Sequence, residues 1–384
     1  MDFAYSEDEI AVRDLAHRIM SDNTSHERLR ELDLAKTWFD MSLWRLLSEA
    51  GLTALSLPEA IGGGGLGFIE TCLVLEEMGR AVAPVPLLAT AVLGGAPIAQ
   101  FGSDEQHAHW LQPVALRNGV LTAALEEVGG VDPARPKLRA TRDGTHWRLD
   151  GEKTCVPAAH LAHGIVVPAR TGDEDCGLFV VEPDAAGVSL ATQFTTNHEP
   201  HAHLTLDAAV VPAIGVLGNP LRGRHMVEWL LTHARVALCA VQLGVAQEAL
   251  RRTAAYTSER KQFGRQIGSF QAVAMRAADA FIDIECMRAT LTLAAWRLSQ
   301  GLPAEVETSA AKWWACRGGQ RVVHTAQHLH AGIGSDSDYP IHRFYLWTKQ
   351  LELSLGGASQ QLEILGDLVM RDAPEAEPPD RETG

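Results

Sequence analysis

The sequence has few basic residues for its number of acidic ones. Its 384 residues include 33 Lys and Arg against 48 Asp and Glu, which gives a net charge of −15. A nucleic-acid-binding surface needs Lys and Arg concentrated on one face, so we predict no nucleic-acid partner. Part of the acidity lies in RDAPEAEPPDRETG, residues 371–384, where the abundance of Pro and Glu predicts a disordered tail.

Long apolar runs are also missing. No uninterrupted apolar run of about 18 residues, the length that indicates a membrane-spanning helix, is present. No basic segment precedes an apolar stretch in the manner of a signal peptide. We therefore predict no membrane partner, no signal peptide and a cytoplasmic location.

Cysteine is scarce and dispersed. The six cysteines form no Cys-x-x-Cys pair, and none of the 16 histidines pairs with them at zinc-finger spacing. We predict reduced thiols, as in a cytoplasmic protein, and no metal site. The run HEPHAH at residues 198–203 has residue types that could bind a metal, but we interpret it as a solvated loop. The cysteines are Cys72, Cys155, Cys176, Cys239, Cys286 and Cys316.

Helical patterns dominate residues 1–115. In SEDEIAVRDLAHRIM, Ser6 is a candidate N-cap, acidic residues follow it, and apolar positions recur at helical spacing. FIETCLVLEEMGRAV, residues 68–82, predicts a second amphipathic helix after the run GGGG at 62–65. A glycine run before a helix is also typical of phosphate loops, but no Gly-Lys-Ser/Thr follows and no strand precedes it. We interpret it as a flexible turn.

Residues 116–216 have the texture of a β domain. RDGT at 142–145 and LDGE at 149–152 predict hairpin turns between short β-prone runs. GLFVVE and HLTLDAAVV continue the same pattern. The middle segment is therefore predicted to be a small antiparallel β-barrel or sandwich.

Helical periodicity returns in residues 217–370. The segment 226–260 predicts one long helix, with small residues such as Ala240 and Gly244 along it. Small residues let helices approach closely, so we predict a four-helix bundle. The predicted fold class is α+β and mostly helical, with an N-terminal helical domain, a middle antiparallel β-barrel and a C-terminal four-helix bundle.

A cluster of candidate binding residues follows the long helix. Arg260, Phe263, Gly264 and Gln271 lie within YTSERKQFGRQIGSFQAVAMRAAD. An Arg side chain supplies a bidentate fork to a pyrophosphate, and such charge-assisted donors suit a dinucleotide. Phe263 and Gly264 would add an apolar ledge and a close backbone approach.

Two further motifs accompany this cluster. HLHAGIGSDSDYP, residues 328–340, places a glycine turn ahead of Tyr-Pro, and PEAIGGGGLGFIETCLVLEEMGR joins a glycine loop to a helix. With the Arg-x-x-Phe-Gly and its following Gln, these motifs resemble the acyl-CoA dehydrogenase family. The resemblance covers nearly the whole chain, and its helix–β–helix order matches the family fold.

The resemblance implies a flavoenzyme with FAD as cofactor and an acyl-CoA as substrate. In this family a carboxylate takes the α-proton while the flavin takes the β-hydride, which leaves a trans-enoyl-CoA. The family's Arg, Gln and glycine turn reach a flavin that is seated mainly on the neighbouring subunit. Two positions depart from the family, because His328 replaces a Gln and Ala331 a Gly. The implied cofactor-binding residues are Arg260, Phe263, Gly264, Gln271, His328, Leu329, His330, Ala331, Gly332, Ser359 and Gln360.

The family's catalytic base is absent. The usual base is the Glu of a Tyr-Glu-Gly-Thr turn, and the matching residues 355–358 are Leu-Gly-Gly-Ala, so Gly356 occupies its place. Some members carry the Glu just before an Arg in the first long C-terminal helix, where this chain has Ala234-Arg235. A general base needs a titratable group, so we assign no catalytic residue. Glu352 and Glu228 are interpreted as ordinary helix charges.

The β domain departs from the family in the same way. Where relatives have Thr-Glu-Pro and a Gly-rich Ser-Asp segment, this chain has ALEEVGGVDP, with Glu126-Glu127-Val128. Where relatives flank the flavin with Trp-Ile-Thr, it has Cys155-Val156-Pro157. Proline offers no backbone N–H, and Glu126 adds a negative charge beside an anion site. We predict a defective flavin pocket on the chain's own β domain.

The motifs offered to a neighbour are therefore kept while the chain's own site is not. This predicts the base-less subunit of a heteromeric α2β2 acyl-CoA dehydrogenase, as in steroid side-chain degradation, with a related subunit as partner and electron-transfer flavoprotein as acceptor. One alternative is a homotetramer with a displaced base at Glu126, Glu127 or Glu352. The others are a flavin-free binding or scaffold protein and a flavin monooxygenase on the same fold.

Overall fold

The structure is a computed structural model that describes residues 4–130, 132–173 and 175–372. The chain forms helices, then a sheet, then helices again. The N-terminal helices are α1 (Glu7–Asn23), α2 (His26–Ala35), α3 (Met41–Glu49), α4 (Phe68–Ala81), α5 (Ala96–Phe101), α6 (Asp104–Gln106) and α7 (Gln112–Arg117). The strands of the sheet are β1 (Leu121–Ala123), β2 (Arg139–Asp143), β3 (His146–Pro157), β4 (Gly164–Arg170), β5 (Cys176–Val181), β6 (Val188–Phe194), β7 (Pro200–Val211) and β8 (Val216–Leu217). The remaining elements are α8 (Arg224–Glu259), β9 (Lys261–Gln262), β10 (Arg265–Gln266), α9 (Gln271–Ser299), α10 (Glu305–His330), α11 (Ile341–Leu353) and α12 (Ala358–Asp372).

The predicted start of α1 is confirmed. The Glu9 backbone N–H donates to Ser6 Oγ at 3.2 Å, and the Ser6 backbone N–H donates to Glu9 Oε2 at 2.6 Å. This reciprocal capping box satisfies two N–H groups that the first turn of a helix leaves without partners. The second predicted helix is α4, which begins at Phe68 as expected.

The glycine run before α4 forms a closed turn. The backbone N–H groups of Gly63, Gly64 and Gly65 donate to carbonyl oxygens of residues 54–58, at 3.0 to 3.1 Å. A phosphate loop points such N–H groups at its ligand. Because these three are bonded within the chain, the turn interpretation is confirmed and the phosphate loop is excluded.

The sheet is open and mixed, so the predicted antiparallel barrel is wrong in this respect. Its strand order is β6-β7-β3-β2-β4-β5-β8, and β1 pairs with β4 beside this path. Most neighbours are antiparallel, but β1 runs parallel to β4 and β2 meets β4 in parallel through Arg139 and Arg170. Turn residues predict antiparallel hairpins between neighbouring strands. They carry no information on parallel pairs between strands that are separated in the chain.

One of the two predicted hairpin turns is also wrong. RDGT does join β2 to β3, but LDGE lies inside β3. Gly151 there has φ +137°, and the pairing of β3 with β7 shifts register between Leu149 and Gly151. An Asp-Gly pair serves a β-bulge as well as a turn, because both need a residue at positive φ.

The C-terminal helices form the predicted bundle around α10, which packs against α8, α9, α11 and α12. By length and composition α8 could cross a membrane, but the most apolar 18-residue stretch in it is 83% buried inside the protein. We therefore regard α8 as a core helix. The predicted tail begins inside α12, which runs through Asp372, and residues 373–384 lie outside the described residues.

Helix α8 also joins the two helical regions by crossing α4 at very short range. A Cβ atom built on Gly244 would lie 1.8 Å from the Glu76 carbonyl oxygen, and one built on Gly79 would lie 2.0 Å from that of Val241. No side chain fits at either position. Backbone contact between α4 and α8 therefore sets the wall on which the candidate site is built.

Candidate active site

The turn after α11 has no acid–base group and no room for one without adjustment. Gly356 has φ +102°, a conformation that L side chains rarely adopt. A Cβ atom there would lie 2.7 Å from Gln361 Nε2. Gln361 is fully buried and donates from Nε2 to the carbonyl oxygens of Leu355 at 3.3 Å and Gly356 at 3.4 Å. A glutamine amide therefore takes the space beside the turn.

The same turn is tied to α8 and to the β domain through Leu355. Arg235 Nε donates to the Leu355 carbonyl oxygen at 3.2 Å, and the Leu355 N–H donates to Glu126 Oε1 at 3.1 Å. Burial lowers the pKa of Arg235, and the nearby Asp132 carboxylate partly opposes this effect. Arg235 follows Ala234, which stands where some family members carry the catalytic Glu. Ala234 is fully buried.

Two of the three displaced-base candidates are engaged elsewhere. Glu127 accepts from Lys153 Nζ at 2.8 Å and from the backbone N–H groups of Lys137 and Leu138 at 2.7 and 3.1 Å. Burial alone would raise the pKa of Glu127, but Lys153 and these backbone donors outweigh it and lower the pKa. Glu352 pairs with Lys349 Nζ at 2.9 Å on α11.

Glu126 is the candidate that lines two cavities, whereas Glu127 lines one of them. It lines a polar cavity of about 660 Å³ together with Asp132, Arg235, Gly356 and Gly357. It also lines a second, mainly apolar cavity of about 800 Å³, and both volumes include space open to solvent. Glu126 is therefore the carboxylate placed between the two cavities, next to the turn that lacks a base.

The apolar cavity lies between α4, α8, α11 and the sheet. Aliphatic side chains of α4 and α8, among them Met78, Leu238 and Val241, form one wall. Polar groups from the sheet and the loop before β7 form the other end. These polar lining residues are Glu126, Cys155, Asn197, Glu199 and His201.

The run HEPHAH is not the solvated loop that we predicted. Residues from Pro200 onward belong to β7, and His201 is 5% exposed. Strand pairing with β3 turns His201 towards the apolar cavity, opposite Pro157. The charged composition of the run concealed this, because alternate residues of a strand face opposite sides.

The Arg-x-x-Phe-Gly motif forms an exposed hairpin at the end of α8. Strands β9 and β10 pair, and the two tip residues Phe263 and Gly264 have φ +53° and +80°. Such turns favour Asn-Gly, so a phenylalanine there is strained. Phe263 is nevertheless 93% exposed. Arg260 and Gln271, which flank the hairpin, are exposed too.

The run from His328 to Gly332 lies at the same end of the bundle as this hairpin. His330 stacks on Tyr256, with ring centroids 4.4 Å apart, and Tyr256 precedes Arg260 by one helical turn. The side chains of Leu329 and His330 are buried in this chain's own core, whereas His328, Ala331 and Gly332 are exposed. The structure thus brings Arg260 and this run together.

Ser359 and Gln360 lie elsewhere. They start α12 directly after the turn at Gly356, and Gln360 lines the polar cavity. These two predicted cofactor contacts therefore belong to the chain's own site and not to the exposed hairpin.

The two halves of a possible FAD site fit the cofactor unequally. The exposed hairpin offers the guanidinium of Arg260 and the amide of Gln271, which are suitable donors for a pyrophosphate. In the chain's own half, Pro157 has no N–H, Glu126 brings a carboxylate, and Glu127 is held by Lys153. The residues present fit a donated half-site and do not fit a complete flavin pocket on this chain.

Models of the acyl-CoA dehydrogenase N-terminal, middle and C-terminal domains match residues 6–118, 122–209 and 222–370. The acyl-CoA dehydrogenase FadE27 of Mycobacterium tuberculosis is 37% identical, over 95% of this chain and 98% of its own length. The chain therefore belongs to the acyl-CoA dehydrogenase family, whose members are flavin-dependent oxidoreductases acting on CH–CH bonds.

Two solved structures extend the comparison. A chain from a variant of the Tcur3481-Tcur3483 steroid ACAD is 45% identical with a TM-score of 0.88, and the match covers 95% of this chain and 98% of that one. A chain of the ChsE4-ChsE5 complex from Mycobacterium tuberculosis is 37% identical with a TM-score of 0.91. That match covers 97% of this chain and 100% of the other.

Sequence reasoning missed three residues that shape the site. Gln361, which fills the space beside Gly356, has no local signal, since its role depends on how α12 returns to the turn. Glu199 and His201 were hidden in a run interpreted as a loop. The β-prone run that follows them, HLTLDAAVV, was the signal that could have placed His201 in a strand.

Proposed function

We propose that this chain is a subunit of a heteromeric, FAD-dependent acyl-CoA dehydrogenase and that it donates binding residues to a related partner subunit. The partner carries the catalytic Glu and the main flavin cradle. One observation carries the proposal: the hairpin that would bind a neighbour's cofactor is exposed, while the chain's own turn holds Gly356.

In such an assembly the bound flavin would accept the hydride from the substrate. The residues of this chain would bind the flavin cofactor and orient it. Arg260 and Gln271 would donate to the pyrophosphate of the bound flavin cofactor, and the strained Phe263–Gly264 tip would provide an apolar edge with close backbone approach. The chain moves no proton at the substrate α-carbon, because neither Gly356 nor Ala234 titrates.

The substrate is proposed to be a bulky acyl-CoA such as a steroid side-chain thioester. The support is similarity to a chain described as part of a steroid ACAD, and the partner proposal is supported by similarity to a chain of the ChsE4-ChsE5 complex. The proposals of electron-transfer flavoprotein as acceptor and of a cytoplasmic location rest on family resemblance and composition.

Native mass spectrometry of the tagged chain, isolated from its own cells, tests the proposal. We expect a four-chain species with a second, related polypeptide and about two FAD molecules. Each FAD site would combine the exposed hairpin of this chain with the main flavin-binding surface of the partner. Four identical chains with four FAD molecules would overturn the heteromer. A species without FAD would overturn the flavin assignment altogether.

A second candidate function is a homomeric dehydrogenase in which Glu126 is the base. The observation in its favour is that Glu126 bonds to the Leu355 N–H and faces both cavities. Glu126→Gln separates the candidates. In the proposed heteromer this substitution leaves dehydrogenation within about twofold, whereas loss of a general base lowers kcat by roughly two orders of magnitude or more.

A further inference from the structure

The hairpin at the end of α8 presents two arginines on the same face. Arg265 on β10 pairs with Gln262 on β9, and the Ile267 N–H donates to the Arg260 carbonyl oxygen at 2.9 Å. In such a ribbon directly opposite residues face the same side, and the side alternates along each strand. Arg260 and Arg265 therefore project from one face of the hairpin, whereas Lys261 projects from the other.

The guanidinium group of Arg265 stacks on an aromatic ring. Its Cζ lies 4.0 Å from the centroid of the Phe270 ring, which also meets the ring of Phe263 edge to face at 6.2 Å. A cation over the face of an aromatic ring is attracted by the electrons of that ring. The N–H groups of a guanidinium lie in its own plane, so stacking leaves them free to donate. Phe270 therefore orients Arg265 without occupying its donors.

The same face of the hairpin carries uncompensated positive charge. No carboxylate in the described part of the chain pairs with Arg260 or Arg265. Residues 260–276 contain four Arg or Lys and no Asp or Glu, in a chain whose net charge is −15. Arg265 also stacks on the N-cap residue of α9, Phe270, whose side chain makes no cap hydrogen bond, and the start of a long helix is itself partly positive. This face therefore suits a ligand with more than one negative charge.

We propose that Arg265 is a second diphosphate-binding residue of the hairpin and that Phe270 is its positioning residue. Arg260 and Arg265 together would bind the two phosphates of FAD, since each guanidinium can donate to a phosphate through two N–H groups. A flavin mononucleotide has a single phosphate, so the pair of arginines favours the dinucleotide. Arg260 follows from the family resemblance, whereas Arg265 follows from the pairing of β9 with β10. The inference rests on the proposed function, because the FAD in question is the one shared with the partner subunit.

Release of FAD from the assembled protein tests the role of Arg265. The rise in flavin fluorescence after dilution measures the release rate, at low and at high ionic strength. At low ionic strength we expect Arg265→Ala to release FAD about tenfold faster than the unaltered protein, because a charge-assisted contact is lost. At high ionic strength the difference should narrow, since salt screens exposed charges. Lys261→Ala removes a cation from the opposite face of the same hairpin and is the matched control, with a release rate within about twofold of the unaltered protein.

Three further variants test how Arg265 is positioned. Phe270→Leu should speed the release of FAD several-fold, because Arg265 loses the ring on which it stacks. Phe270→Tyr keeps an aromatic ring and should restore slow release. Arg265→Lys keeps the charge but not the planar fork, so its release rate should lie between those of the unaltered protein and Arg265→Ala. Because Arg265 is exposed, thermal unfolding of its variants should match that of the unaltered protein.

The outcomes separate this inference from the proposed function. If Arg265→Ala releases FAD at the rate of Lys261→Ala while Arg260→Ala releases it faster, the role of Arg265 is overturned and the proposed function stands. An acceleration in Arg265→Ala that is equal at low and high ionic strength would indicate a structural role and would also overturn the inference. Unchanged release in both arginine variants, or an isolated protein without FAD, would overturn the inference together with the assignment of the hairpin to FAD.

Discussion

At the scale of the residue, a packed glutamine side chain occupies the space beside Gly356. Gly356 adopts positive φ, and the buried Gln361 bonds to the carbonyl oxygens of Leu355 and Gly356. The turn is therefore stabilised as it stands. A Glu placed at 356 would need both a change of backbone and a displaced glutamine.

Adding a single methyl group tests this interpretation of the turn. We expect Gly356→Ala to lower the free energy of unfolding by about 1–2 kcal/mol, because a Cβ atom is strained at positive φ. Gly357→Ala is the control, since a Cβ there meets only the Glu352 carbonyl oxygen at an ordinary 3.7 Å. Urea unfolding measures both variants, and equal stabilities would contradict the strain argument.

A buried ion pair marks the chain's own β domain. Lys153 is 0% exposed and is held by Glu127. We expect Glu127→Ala to destabilise the protein by about 3–5 kcal/mol, because it leaves a buried ammonium group without its partner. Thermal and urea unfolding would measure the loss.

One further variant and the dependence on pH serve as controls for that test. Glu152→Ala, at an exposed neighbour on β3, should change stability by less than about 0.5 kcal/mol. The pKa of Glu127 is lowered in the folded state, so its contribution is present above the unfolded pKa and is lost as pH falls through the folded one. A Glu127→Ala loss that persisted unchanged at the lowest pH at which the protein stays folded would argue against the ion pair.

At the scale of the element, the crossing of α4 and α8 depends on the absence of side chains. We expect Gly244→Ala to destabilise the protein by about 1–3 kcal/mol or more, because the new Cβ atom would overlap the backbone of α4. Gly366→Ala on α12 is the matched control. Among the residues that the structure describes, none lies within 4 Å of its Cβ position, so it should stabilise by roughly 0.5–1 kcal/mol through helix propensity.

Helix α8 also carries a buried histidine that makes the folded protein less stable at acidic pH. His233 stacks on Trp229 at 3.8 Å and contacts Phe68, and burial lowers its pKa to about 4. Between that value and the unfolded pKa of about 6.5, the unfolded state binds the proton and the folded state does not. Stability therefore falls as pH drops through this window, by up to about 3 kcal/mol, since each pKa unit corresponds to about 1.36 kcal/mol.

Unfolding measured from pH 4 to pH 7 tests this dependence. In His233→Phe the part of the pH dependence that is due to His233 should vanish. The free energy of unfolding should then fall less steeply as the pH drops. An unchanged slope in His233→Phe would contradict the assignment.

At the scale of the whole molecule, the segments to which we assign cofactor binding point outward. The exposed hairpin at Arg260 and the neighbouring run from His328 lie at one end of the C-terminal bundle. The chain's own site is instead filled or altered at Gly356, Pro157 and Glu127. This distribution is what a donated half-site requires.

Arg260→Ala in the assembled protein tests the outward-facing half. We expect FAD content to fall several-fold, because loss of a charge-assisted contact is worth about 1.5–3 kcal/mol. Lys261→Ala is the control, since Lys261 is an exposed cation on the same hairpin. Absorbance near the flavin maximum measures the FAD content of both isolated variants. An unchanged FAD content in Arg260→Ala would show that this arginine is not part of the FAD site.

Much of the architecture could be read from local patterns. The N-cap at Ser6, the helix of residues 68–82 and the long helix α8 are confirmed, because helical periodicity and caps involve neighbours in the chain. The barrel, the LDGE turn and the HEPHAH loop were wrong. Each depended on pairing between strands distant in the sequence, such as β1 with β4 or β3 with β7.

The family, the helix–sheet–helix order and the presence of Gly at 356 and Ala at 234 could all be read from the sequence. These depend on which residue occupies which position. The packing of distant segments was needed to show Gln361 beside Gly356, Lys153 paired with Glu127 and His201 in the wall of the apolar cavity. The physical reason is that burial and pairing of polar groups arise from contacts between distant segments, which become defined only when α12, β3 and β7 pack together.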